Sequence, residues 1–364
     1  MRVGVSSYWF NRGQAVVGRH LRSGLDELGH ETFVLARPSK DSAAKPALIE
    51  RGDVWNQPGV TEASHYSIPV EEMVAWARQN ELEAVLFDQN YQFDEIARLR
   101  AMGVRTIGRF VWEQFEPGHV EGAKRAFDVV YSMLACEQER YATLGIESPR
   151  VRWGCHPELL EAAERFAGER ASDGTVRLYF PGGYMTKRKP LRPTLEAFQA
   201  ARGDELRLLL KAQVEKRQKM VNKAARSDGR IEPIFDDMPT DEHHRLLASV
   251  DAFLAPSRWE GLGLHLYEAA AFGVPVITND NPPMNEVVVD GENGLLVPGV
   301  PAEESSPSGI PSWDPDVGAL TAAIERMGDE GVRAELAEGA ARARERLSWD
   351  NTLADLRTLM RGSS

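Results

Sequence analysis

The chain has 364 residues, 42% hydrophobic and 27% charged, with a formal net charge of −12. Its length exceeds one ordinary core and suits two domains of roughly 100–200 residues, and no apolar stretch approaches the roughly 20 residues of a membrane span. The acidic balance argues against a nucleic-acid binder, whose surface carries a basic excess, but leaves a phosphorylated small ligand open: a cation about 4 Å from a phosphate contributes about 4 kcal/mol at an effective dielectric of ~20, whereas distant charges are screened beyond about 8 Å.

The opening MRVGVSSYWF lacks the long apolar core and cleavage site of a signal peptide, so a cytoplasmic location is expected, with transient contact at the inner membrane surface left open. RVGVSS (2–7) reads as a strand, NRGQ (11–14) as a turn holding Gly13 and Gln14, and Val17, Leu21, Leu25 and Leu28 as one face of a helix ended by Gly29. Strands are expected at ETFVLA (31–36), DVW (53–55), AVLFDQ (84–89), RTIGRFVW (105–112) and VVYSM (129–133), with helical patterns between them. The more polar segment 154–174 reads as an interdomain connection.

A second alternating series follows: VRLYFP (176–181), LRLLLK (206–211), RIEPIF (230–235), DAFLAP (251–256), VPVITN (274–279) and GLLVP (294–298). Parallel strands need crossover helices, so two doubly wound, Rossmann-like α/β domains are the economical reading, with boundaries at 1–160 and 170–345 and a terminal segment 346–364. Residues 299–315, rich in Pro, Ser and Gly, are expected to form a surface loop. Val317, Leu320, Ile324 and Met327 mark a helix beyond it, and SWDNTLADLRTLMRG (348–362) a last one.

Chemistry concentrates in SRWEGLGLHLYEAA (257–270), where Glu260 precedes a glycine turn and Glu268 lies inside the following helix. A helix opening near Gly263 or Leu264 presents unpaired N–H groups and a positive dipole end, which favour an anion. Gly261 and Gly263 let a phosphate or sugar approach the backbone. By spacing alone, Glu260 reads equally well as a loop carboxylate and Glu268 as a solvated helix residue. A second feature is PGGYMTKRKPLRPTLEAF (181–198), whose Lys187, Arg188 and Lys189 precede a helix with Leu191, Leu195 and Phe198 on one face; a charge run of this kind is by itself usually a solvated face.

The run PSRWEGLGLHLYEAAAFGVPVITNDNPPMNEVVVDGENGLLVP (256–298) resembles the nucleotide-binding segment of retaining glycosyltransferases with the GT-B fold, in particular family 4 (glycosyl transferases group 1). That resemblance implies two Rossmann-like domains facing a central cleft, with the C-terminal helix crossing back to the first. It implies that Glu268 holds the ribose hydroxyls of a nucleotide-diphosphate sugar and that Glu260 contacts the donor sugar. Backbone amides around Gly261, Leu262, Gly263 and Leu264 would meet the sugar and diphosphate. Lys189 matches the family's phosphate-binding lysine, while Gly183 stands where the family has an arginine; Arg188 and Lys187 are the candidates to compensate for it. Gly13 matches the turn that approaches the phosphates, though a plain strand–helix turn explains it equally. Trp112 and Glu113 stand where the family carries a histidine, with Glu113 as a sugar-hydroxyl contact, an acceptor contact or a structural residue, and His156 falls near a customary aspartate without assigned chemistry. Glu286 falls at a further carboxylate position or caps NPPM. Packing is the expectation for Trp259 and Tyr267; His265 carries no preference.

No cofactor is expected beyond the donor itself, and no essential metal: DPD (314–316) superficially matches an Asp-x-Asp motif, but Asp316 better serves as an N-cap, and His243–His244 read as surface residues of a helix opened by Thr240. Cys136 and Cys155 lack C-x-x-C spacing and read as reduced thiols. The expected partners are a nucleotide sugar and a hydroxyl-bearing acceptor (a glycan, a lipid-linked sugar or a small molecule), with no nucleic acid and no integral membrane segment; a homo-oligomer is compatible with the sequence. Three rival readings are a glycoside hydrolase built on paired carboxylates, a sugar-nucleotide epimerase of the same architecture, and a non-catalytic nucleotide-sugar-binding protein.

Overall fold

Short runs of β-branched and aliphatic residues become parallel strands here because helices cover both faces of each sheet, so alternation with polar residues is not required. The computed structural model describes residues 1–41, 46–170, 173–213, 218–304, 306 and 308–362. It divides into two units: Met1–Trp153 together with the chain from Asp350 onward, and Gly154–Trp349.

In the first unit β1 (Arg2–Tyr8), β2 (Glu31–Arg37), β3 (Val60–Glu62), β4 (Ala84–Asp88), β5 (Arg105–Arg109) and β6 (Val129–Val130) form a parallel sheet of order β3-β2-β1-β4-β5-β6. The expected strand at DVW is instead a 3-10 turn, Asp53–Trp55, whose Trp55 packs against Trp9 while its carbonyl accepts the Trp9 indole N–H at 2.9 Å. The third strand, Val60–Glu62, is exposed on an edge and carries no apolar signature. Gly13 is the first residue of the helix Gly13–Glu27 and not part of the preceding turn. The terminal helix, Trp349–Arg361, belongs to this unit from Asp350 onward: both terminal nitrogens of Arg105 donate at 2.8 Å, to the carbonyls of Met360 and Leu359, and Arg152 forms a fork on Asp355 at 2.7 and 2.9 Å.

Within this core, Glu137 is buried, accepting from the Met133 N–H at 2.6 Å and from Tyr141 Oη at 3.3 Å. Burial pushes its carboxyl up to about 7, against the opposing pull of Arg109. A raised folded value means that its contribution is fully present below the unfolded value of about 4.5 and is lost as pH rises through about 7. Glu137→Gln is therefore expected to flatten the fall in melting temperature between pH 5 and 8, removing a term on the order of 3 kcal/mol; calorimetric scans across that range check it.

In the second unit β7 (Val176–Gly183), β8 (Leu206–Ala212), β9 (Ile231–Phe235), β10 (Ala252–Leu254), β11 (Val276–Asn279) and β12 (Gly294–Val297) form a parallel sheet of order β12-β11-β10-β7-β8-β9. Leu178, Phe180, Leu208, Leu210 and Phe198 are fully buried, each worth about 1.5–3 kcal/mol of burial. The segment read as a connection holds a helix of this unit, Pro157–Arg165. Residues 299–315 are not only loop: β13 (Gly299–Pro301) and β14 (Trp313–Pro315) pair antiparallel. A 17-residue helix, Glu330–Arg346, was not foreseen, because its alanine, glutamate and arginine residues leave a weak apolar stripe. His243 and His244 are also not surface residues: His244 is buried, and His243 Nε2 lies 3.2 Å from the Tyr179 hydroxyl.

Candidate donor-binding site

In open α/β sheets ligands bind beyond the carboxyl ends of the strands, where the strand order reverses. In the second unit that point lies between β7 and β10. The carboxyl end of β7 feeds the loop bearing Lys187, Arg188 and Lys189, and that of β10 feeds the loop bearing Ser257 and Glu260. The topology thus brings together the two segments singled out by their residues.

Their side chains interlock. Lys189 Nζ donates to Glu260 Oε1 at 2.7 Å and to Ser257 Oγ at 2.9 Å, and Ser257 Oγ donates to the same Glu260 oxygen at 2.8 Å. Arg188 Nε stands 3.4 Å from the other oxygen, Oε2. Lys189, Ser257 and Glu260 are buried while Arg188 is about one-third exposed, with 34% side-chain exposure. Burial alone would push the Glu260 carboxyl up; Arg188 and Lys189 outweigh it and hold the group well below the usual carboxylate range. Two cations thus stand against this one carboxylate.

Shortly after Glu260 the chain enters the helix Leu264–Ala271, whose N-cap Gly263 has φ 73°. Only glycine adopts this left-handed geometry without strain, and the resulting helix end adds partial positive charge from its free N–H groups. Gly183, closing β7, is also left-handed at φ 50°, so an arginine there would meet backbone strain although nothing lies within 4 Å of a built Cβ. His265, in the first turn, is held neutral: burial, then the charge of Lys189, push its imidazole down to about 3.

Glu268 lies one turn further along the same helix. Its carboxylate makes no hydrogen bond or ion pair among the described residues, and burial pushes it up to about 7. Trp259 and Tyr267, expected to pack, are both buried, and Leu262 likewise. Lys187 is exposed and pairs with Glu304 at 2.8 Å. Asp316 caps the helix Val317–Arg326, accepting from the Ala319 N–H at 2.8 Å. Sequence reasoning gave no role to Ser257 or Arg258, although both stand in the quoted motif. The concavity lined by Arg202, Asp204, Asp228 and Arg230 lies at the amino ends of β8 and β9, away from these loops, and its Arg230 is already bonded to Asp228 and three carbonyls.

In the first unit the order reverses between β1 and β4. Arg37, closing β2, reaches this point: its Nη1 donates to the Gln89 carbonyl at 2.9 Å and its Nε to the Tyr66 carbonyl at 2.8 Å. The guanidinium stacks 4.0 Å from the Tyr66 ring centroid and 5.2 Å from that of Tyr8. No sequence motif announced this cluster. Glu113 is buried in a 3-10 turn, Trp112–Gln114, and Gly13 is exposed. Both cysteines are free, and burial pushes the Cys155 thiol up to about 12.

The chain is similar over 99% of its length to the sucrose-phosphate synthase of Thermosynechococcus elongatus, with TM-score 0.73, 17% identity and 98% of that chain covered. It is similar over 99% to HepE of Anabaena, solved with UDP and glucose, with TM-score 0.69, 14% identity and 99% covered. At such identities the likeness shows the fold, the two-domain α/β architecture named GT-B. Among curated proteins, the D-inositol 3-phosphate glycosyltransferase of Acidothermus cellulolyticus is 34% identical over 116 residues, 32% of this chain and 22% of that protein. The lipopolysaccharide core biosynthesis mannosyltransferase LpsB of Rhizobium meliloti is 36% identical over 110 residues, 30% of this chain and 29% of that one. The matched part thus spans less than a third of either relative. Residues 183–307, which carry the basic loop, the glycine turn and both glutamates, match the family model of glycosyl transferases group 1.

Proposed function

We propose that the chain is a glycosyltransferase that moves a sugar from a nucleotide-diphosphate sugar to a hydroxyl acceptor with retention of anomeric configuration. The observation that carries this reading is the buried Lys189–Glu260 pair with Arg188 beside it, set at a helix start, with the unengaged Glu268 carboxylate one turn beyond. Basic side chains beside a helix start suit a diphosphate, and a carboxylate such as Glu268 suits the paired hydroxyls of a ribose. The names of the relatives, and the UDP and glucose of the HepE structure, support a nucleotide sugar as the ligand class.

As the glycosidic bond breaks, negative charge grows on the leaving diphosphate. Lys189, Arg188 and the amides of the helix start stabilise it in place, without reorganisation. Glu260, kept ionised by its two cations, faces the positive charge developing at the anomeric carbon. The leaving phosphate then takes the acceptor proton on the same face, which accounts for retention and requires neither a protein base nor a metal. In this reading the first unit is the acceptor-binding one, with Glu113 as its candidate contact.

A glycoside hydrolase needs, beside a carboxyl acid, a second carboxylate free to attack the sugar or activate a water; Glu260, whose Oε1 accepts from Lys189 and Ser257 while Arg188 stands beside Oε2, is poorly placed for that, which disfavours the reading. Incubation with UDP-, GDP-, dTDP- and ADP-sugars and an acceptor panel tests the proposal. Diphosphate release that depends on the acceptor, with the donor's anomeric configuration kept in the product, is the expected result. Epimerisation without an acceptor, cleavage of glycosides without a nucleotide, or binding without turnover across the panel would each replace it.

A further inference from the structure

We propose that the hairpin over residues 299–315 is a strap that sets the Lys189–Glu260 pair, and that Arg258 and Asp314 are the positioning residues through which it acts; this rests on the reading of that pair as donor contacts.

Three segments distant in sequence meet at Arg258. Its Nη1 donates to the Lys187 carbonyl at 2.5 Å and its backbone N–H to the Arg188 carbonyl at 2.9 Å, so it holds two consecutive peptides of the basic loop. Its Nε pairs with Asp314 Oδ1 of β14 at 2.6 Å, and its own carbonyl accepts the Trp313 N–H at 3.2 Å. Trp313 is tied in turn to the end of β11, where Asn279 Nδ2 donates to its carbonyl at 3.0 Å. A second tie joins hairpin and loop, Lys187 Nζ to Glu304 Oε2 at 2.8 Å. Arg258 adjoins Ser257, whose hydroxyl bridges Lys189 and Glu260, so a displacement at Arg258 passes directly to that pair.

These bonds lie outside the main apolar core. The main apolar core of this unit holds Leu295 and Val297 before the hairpin and Leu320 and Ile324 after it, but none of the described residues of 299–315. Arg258 is 8% exposed, and its planar fork satisfies a carboxylate and a carbonyl together, which the single ammonium of lysine does not do in the same geometry. A misplacement of about 1 Å near reacting groups costs on the order of a hundredfold in rate.

The test uses the full chain with Asp314→Ala, Asp314→Glu and Arg258→Lys, read by hydrogen exchange and by kinetics. Asp314→Ala and Arg258→Lys are expected to speed amide exchange in 187–190 and 256–263, with the strands of the sheet unchanged. Turnover of the nucleotide sugar should fall about tenfold or more, while the affinity for the matching nucleoside monophosphate, held at the Glu268 end, stays within about twofold. Asp314→Glu, which keeps the carboxylate, should recover much of the rate; a merely structural role would shift monophosphate affinity and stability together. Exchange changes confined to 299–316, or unaltered turnover, would overturn the inference. If the unsubstituted protein binds no nucleotide sugar, the donor reading fails while the exchange data still decide whether strap and loops are coupled.

Discussion

Replacing Lys189 by alanine is expected to lower nucleotide-sugar turnover by about 10²–10³-fold, the usual cost of removing one preorganised donor to a developing oxyanion. It should also destabilise the second unit by about 3–5 kcal/mol, because Glu260 would stay buried with its hydrogen-bonded cation gone. The two effects separate in the double variant Lys189→Ala/Glu260→Gln, which removes the orphaned charge. Its melting temperature should return most of the way to that of the unsubstituted chain while turnover remains low. Thermal melts with steady-state kinetics on the three proteins check this; recovery of both quantities together would show the pair to be structural only.

Replacing Glu268 by alanine is expected to weaken nucleotide-sugar binding by about 10- to 100-fold, since hydrogen bonds to a charged group are each worth about 1.5–3 kcal/mol. Its pH dependence has a defined sign. Burial pushes the carboxyl up to about 7, so in the free protein it is largely protonated below that pH. Ribose hydroxyls donate to the ionised form, so affinity should rise from pH 6 to 8 and level off above. The linked effect on folding is opposite: a raised folded value gives stability that is lost as pH rises through about 7, and bound donor offsets the loss. Glu268→Gln should show a flat affinity profile across the same range, measured by calorimetry.

The second unit was more legible than the first, for physical reasons. Its strands are apolar runs that had to be buried on both faces, and Leu178 to Phe180 and Leu208 to Leu210 behave accordingly. The glycine turn before Leu264 is announced by residue type, because only glycine takes the backbone required there. The ion pair was not legible: nothing in the spacing says that Lys189 and Glu260, 71 residues apart, share a hydrogen bond. That follows from the strand order, which places the ends of β7 and β10 side by side. Arg258 and Asp314 were missed for the same reason, since a Pro/Ser-rich stretch hides a hairpin whose strands are three residues each. In the first unit, β3 lies on an edge and needs no apolar pattern, and Trp55 turned a supposed strand into a packed 3-10 turn. The Arg37 cluster rests on cation–ring stacking and carbonyl contacts, which leave no motif in a single sequence.

The central claim is that the loops after β7 and β10 and the helix carrying Glu268 grip a nucleotide-diphosphate sugar. Titration calorimetry of the full chain and of Glu268→Ala with UDP-, GDP-, dTDP- and ADP-sugars tests it most directly. The account predicts saturable binding of at least one of these donors by the unsubstituted chain, and a loss of about tenfold or more in the variant. Binding of none of them, or equal affinity in both proteins, would contradict it.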